Sequence, residues 1–144
     1  MKRLFNITFL LILISVAGFA QTSGEIFATD EGAIRGYDAV AFFTENKPVK
    51  GAKDFSLEWK GATWYFGTKQ NLELFKAHPE QYAPQYGGYC AFGMAEDHKA
   101  PIQTDTWTII ENKLYFNYNN DVKKEWSKDT KAFIEKADAN WKSQ

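Results

Sequence analysis

The chain has 144 residues, with 17 Lys and Arg, 18 Asp and Glu, 2 His and one Cys, for a formal net charge of −1. That length favours one domain with enough chain to bury a core, and an aromatic content of 17% argues against disorder. The near-zero charge and the absence of a basic block exclude a polycationic nucleic-acid arm, so no nucleic-acid partner is expected. A single cysteine excludes an intramolecular disulfide framework and a Cys-rich zinc site.

Lys2 and Arg3 open the chain, an apolar stretch follows that is densest from Phe9 to Val16, and Gly18 and Ala20 place small residues just before Gln21. This is the layout of a signal peptide over residues 1–20, cleaved after Ala20. A retained anchor is the competing reading, but a span needs about 20 apolar residues and Asn6 and Thr8 interrupt this one. The expectation is an exported chain, periplasmic or secreted, with no membrane partner after cleavage.

Residues 21–32 read as a flexible lead-in and residues 33–144 as the domain. Gly36-Tyr37-Asp38 punctuates the chain, and Ala39 to Phe43 reads as a short buried element. Phe55, Leu57 and Trp59 alternate with polar residues, as do Ala62, Trp64 and Phe66 after Lys60-Gly61; together they predict a β-hairpin. Thr68 reads as an N-cap for a helix carrying Leu72 and Phe75, and Pro79 ends that helix and opens a further turn. Gly87-Gly88 breaks the chain before Tyr89 to Met94, and Asp97 to Thr104 reads as a loop. Trp107–Ile110 and Lys113–Phe116 flank Glu111-Asn112 as a second hairpin. Asn120 is a cap candidate for a helix with Val122 and Trp126 on one face, continued by Phe133, Ile134, Ala137 and Trp141. The pattern predicts an α+β fold: a small single domain whose two hairpins form an antiparallel sheet, packed against several short helices and a C-terminal helical segment.

Trp59-Lys60-Gly61-Ala62-Thr63-Trp64-Tyr65-Phe66, followed by Phe75-Lys76-Ala77-His78-Pro79-Glu80-Gln81-Tyr82, resembles the YHS domain family. Four further segments resemble an exported, single-domain subgroup of YHS-domain (seleno)proteins: Gly36 to Phe43, Tyr86 to Gly93, Lys113 to Tyr118, and Ala137 to Trp141. The resemblance implies a heavy-metal-binding module with cysteine ligands. This chain departs from it at two family cysteine positions, where Gly67 and Asn71 stand and neither can supply a thiolate. It also implies that Cys90 is a chemical position, since some subgroup members carry selenocysteine there.

The residues themselves leave Cys90 open. In the first turn of a helix opened by Gly87-Gly88, unpaired N–H groups would stabilise a thiolate and lower its pKa. A lone Cys among Tyr89, Ala91 and Phe92 is equally a small buried hydrophobe. For a metal, the candidate ligands are Cys90, Met94 and His98, with Asp97 beside them; thiolate, thioether and imidazole suit copper(I) or another soft metal. One continuous helix would separate Cys90 and His98 by about 12 Å, so a single site needs the loop to fold back. Met94 also reads as core, His98 as a solvated loop residue, and His78 as a helix-end residue. No phosphate loop or hydrolase signature appears.

The expected function is a non-enzymatic binding module for a soft metal such as copper, with Cys90 as primary ligand. The alternatives are a thiol-based redox protein using Cys90 with an external thiol partner, and a structural or partner-interaction domain without chemistry. The sequence does not specify an oligomeric state.

Overall fold

A computed structural model describes residues 24–144, so the signal peptide expected over residues 1–20 lies outside the described residues. The fold is α+β. Strands β1 (Ala28–Thr29) and β2 (Gly32–Ala33) form a small hairpin, followed by a 3-10 turn at Ile34–Gly36 and the one-turn helix α1 (Ala41–Thr44). Strands β3 (Ala52–Trp59) and β4 (Ala62–Phe66) pair antiparallel, leading into α2 (Lys69–Ala77) and α3 (Pro79–Tyr82). A second 3-10 turn at Gln85–Gly88 precedes α4 (Ala91–Ala95). Strands β5 (Gln103–Ile110) and β6 (Lys113–Asn117) then pair antiparallel, and α5 (Asn120–Trp126) and α6 (Thr130–Lys142) complete the chain.

Both expected hairpins form, each turning on two consecutive residues with positive φ: Lys60 and Gly61 at 49° and 75°, Glu111 and Asn112 at 51° and 61°. That backbone matches the right-handed twist of the flanking strands. The hairpins do not join into one sheet, however. Among the described residues there are three separate two-stranded sheets. A backbone bridge from Cys90 to Phe116 occupies the free edge of β6, so that strand has no place for another hairpin.

Alternation along β4 buries Ala62, Trp64 and Phe66. Phe75 on α2 lies against Trp59, Trp64 and Phe66 with ring centroids 4.9–5.5 Å apart. Thr68 caps α2 as expected, its hydroxyl accepting the Asn71 N–H at 3.1 Å, and the helix stops at Ala77 before Pro79. A second cluster gathers Tyr86, Met94, Tyr115, Trp126 and Ala137 between α4, α5, α6 and β6.

Three local readings need correction. Within the expected flexible lead-in over 21–32, part of the chain is packed: Ile26 and Phe27 are buried, and the Phe27 N–H donates to the Gly87 carbonyl at 2.8 Å. Two apolar side chains supply the burial there, and Gly87 the backbone approach. The cap of α5 is Asn119, whose Oδ1 accepts the Val122 N–H at 2.8 Å, while Asn120 is the first helical residue and donates to Asp105. The C-terminal apolar pattern is also split in two, because Asp129 caps a new helix by accepting the Ala132 N–H at 3.1 Å.

Gly87 is the tightest point in this packing. It has φ +61°, and a Cβ there would stand 1.8 Å from the Glu25 carbonyl oxygen. Gly61 has a similar φ of +75° but open space around its missing Cβ. Gly87→Ala is therefore expected to cost roughly 3 kcal/mol or more, and Gly61→Ala only about 1 kcal/mol of conformational strain, measured by urea unfolding.

Candidate functional site

Tyr86, Gly87 and Gly88 all have positive φ, at 57°, 61° and 89°. This left-handed run turns the chain so that Tyr89 and Cys90 lie beside β6. Cys90 becomes the N-cap of α4, where its Sγ accepts the Gly93 N–H at 3.3 Å and the Tyr118 N–H at 3.2 Å. Its thiol faces Asn117 Oδ1 at 3.6 Å. Gly93 leaves room for the loop that follows: a Cβ there would meet the Ala100 Cβ and the His98 carbonyl, both at 3.2 Å.

Cys90 is 1% exposed. Burial pushes its thiol pKa up, and the opposing pull of the Gly93, Tyr118 and Phe92 N–H groups does not overcome it. This reverses the expectation of a pKa lowered by a helix N-terminus. The helix is only five residues long, and its few N–H groups are outweighed by desolvation.

The second polar group here is Asn117, fully buried at the end of β6. Its Oδ1 accepts the Phe92 N–H at 3.1 Å, which determines which way the amide faces. Among the described residues its Nδ2 then has no hydrogen-bond partner, an expensive condition for a buried donor. Sequence reading missed Asn117, because nothing in Leu-Tyr-Phe-Asn-Tyr separates a buried amide from a turn residue.

The expected metal set does not come together. Met94 packs in the second cluster with Ala91, Tyr115, Trp126 and Ala137, whereas Cys90 belongs to the first. His98 is exposed on the turn after α4, and only its backbone reaches inward, to the Gly93 carbonyl at 3.0 Å. Asp97 is exposed beside it, with φ 60°. His78 sits at the junction of α2 and α3. Among the described residues, no group of three or more His, Cys, Asp or Glu side chains is gathered around a point that could hold a metal.

Gly67 and Asn71 do converge, on a carboxylate. Asp38 is fully buried, and its Oδ2 accepts the Gly67 N–H and the Asn71 Nδ2, both at 2.8 Å. Its Oδ1 accepts the Val40 N–H at 2.9 Å and the Ala41 N–H at 3.2 Å. Residues 40–86 match the family model of the YHS domain. The chain carries a YHS domain. No curated protein and no solved structure gives a significant match. The match to the YHS domain takes in the first long hairpin, α2 and α3. Cys90 and everything after it lie beyond the matched residues, and Asp38 lies just before them.

Beside the Gln85–Gly88 turn is a cavity of about 370 Å³, lined by Trp59, Lys60, Glu80, Tyr86, Asp138 and Trp141 among others. The Tyr86 hydroxyl donates to Asp138 Oδ1 at 2.8 Å. Burial, then Asp138, raises the Tyr86 pKa well above the ordinary phenol range. Tyr115 is pushed up to about 12 by burial and then by Asp138.

Cys90, Tyr86 and Tyr115 are all acids whose neutral form the fold favours. As pH rises the unfolded chain loses these protons first, so the folded state binds more protons and stability falls with pH. The stabilisation is complete below the ordinary thiol value of about 8.5 and is lost progressively above it. Urea midpoints measured from neutral pH upward should hold level and then fall as pH climbs toward 12, the value to which Tyr115 is raised. Tyr115→Phe should flatten the upper part of that fall.

Proposed function

We propose that this chain is an exported YHS-type module whose chemistry is that of one buried thiol, Cys90, which reacts with a small peroxide and is restored by an external thiol. The observation that carries this reading is the setting of Cys90 Sγ, which accepts the Gly93 and Tyr118 N–H groups and lies 3.6 Å from Asn117 Oδ1, an acceptor that the O–H of a sulfenic acid can use as the thiol does. The two N–H groups already on Sγ hold the sulfur in place and stabilise charge on it.

The cycle balances with those two co-reactants. Sγ attacks one peroxide oxygen, the O–O bond breaks, and Cys90 becomes a sulfenic acid while the other oxygen departs as an alcohol or water. An external thiol then attacks the sulfur, the S–O bond breaks, water leaves, and a mixed disulfide forms. A second external thiol releases Cys90 as the free thiol and departs in a disulfide with the first. With one cysteine in the chain, both resolving thiols must come from outside. Burial and the raised thiol pKa make the reaction slow at neutral pH and restrict it to small oxidants and small external thiols. Export rests on the sequence of residues 1–20.

Copper or another soft metal at Cys90 is the second reading, since the same N–H groups would stabilise a metal-bound thiolate. It needs a co-ligand other than Met94 and His98 where they now lie.

Folded protein treated with hydrogen peroxide and a sulfenic-acid trap should give one adduct per chain, at Cys90, faster at higher pH. Asn117→Asp keeps the acceptor for the Phe92 N–H but sets a carboxylate beside the sulfur, which disfavours the thiolate, and should lower the yield several-fold. An adduct that forms only after unfolding would sink the thiol reading. One tightly bound copper(I) per chain, lost in Cys90→Ser, would instead favour the second reading.

A further inference from the structure

Asp38 presents an arrangement that the YHS resemblance does not anticipate. Its carboxylate is fully buried, and among the described residues no Lys, Arg or His pairs with it. All four of its partners are N–H donors, which match the acceptor-only character of an ionised carboxylate. Two of these donors belong to Gly67 and Asn71, the positions at which the resemblance places cysteines. We propose that Asp38 is an internal anion filling the place where the YHS resemblance puts a cation, so that this part of the chain is tied together by a carboxylate and is closed to metal.

Three observations converge on this assignment. The first is chemical: inward-pointing N–H groups attract an anion and repel a cation, so the donor set has the wrong sign for a metal. The second is spatial. A Cβ at Gly67 would stand 3.5 Å from Asp38 Oδ2, so a side chain at this position would abut the carboxylate. The third is architectural. Through its oxygens Asp38 joins the start of α1, the residue after β4 and the first turn of α2. A metal held by ligands at 67 and 71 would make a cross-link in the same place.

The Cys90→Ser background separates this proposal from any chemistry at Cys90. In that protein, copper(I) and zinc(II) should leave the melting temperature unchanged. Asp38→Asn must set an NH₂ group against N–H donors, and should lower the melting temperature by on the order of 10 °C. Asn71→Ala should lower it less and is the variant to use if Asp38→Asn does not fold. A metal ion bound by the Cys90→Ser protein and lost in Asp38→Asn or Asn71→Ala would overturn the proposal by making that cluster a ligand set. An Asp38→Asn protein as stable as its parent would overturn it too, by removing the tie.

Discussion

The buried carboxylate of Asp38 is the constraint around which the first half of this protein is organised. An ionised group out of water is tolerated only when its hydrogen-bonding capacity is met, and here four N–H groups from three chain segments meet it. Those segments do not pair in a common sheet; the first long hairpin has only its own two strands, and α1 is a single turn. Aromatic packing of Trp64, Phe66 and Phe75 supplies the apolar burial, but it does not dictate how the loop before α1 meets the hairpin and α2. The carboxylate does, together with the backbone bridge of Tyr37 to Lys50 at the entry to β3, because each donor must sit within hydrogen-bond distance of one of two oxygens.

The second half rests on a different device. Left-handed backbone from Tyr86 to Gly88 lets the segment Glu25 to Phe27 cross at Gly87 and sends Cys90 down beside β6. The cysteine then serves as both a helix cap and a tie to the residues after β6. Burial and hydrogen bonding act in opposite directions on its acidity, and burial is the larger. The sulfur is thus positioned like a thiolate but protected like a core residue. Asn117 beside it has one amide group satisfied and one not.

Much of the fold was legible because its signals are local. The alternation in Phe55 to Trp59 and Ala62 to Phe66, the turn at Lys60-Gly61, the Thr68 cap and the Pro79 stop depend on neighbours within a few residues, and each appears as read. The near misses also have local causes. Two adjacent asparagines compete to cap α5, and only the tertiary partner of Asn120, Asp105, decides between them. The lead-in over 21–32 read as flexible although Ile26 and Phe27 in it are buried, since the groove they fill is built by residues some sixty positions later.

The site was legible only in part. Cys90 stood out by residue identity alone as the lone cysteine, whereas Gly67 and Asn71 stood out only through the resemblance to the YHS family. What the sequence by itself determined was chemical inventory and local geometry: one thiol, an α+β pattern, and a hairpin and helix that match the YHS domain. Only the tertiary structure decided what those residues face. It put Met94 and His98 in surroundings that do not meet at the sulfur, set Asn117 against Cys90, and turned Gly67 and Asn71 toward Asp38. Burial and long-range hydrogen bonding set the charge state and reach of a side chain, and neither is encoded within a window of a few residues.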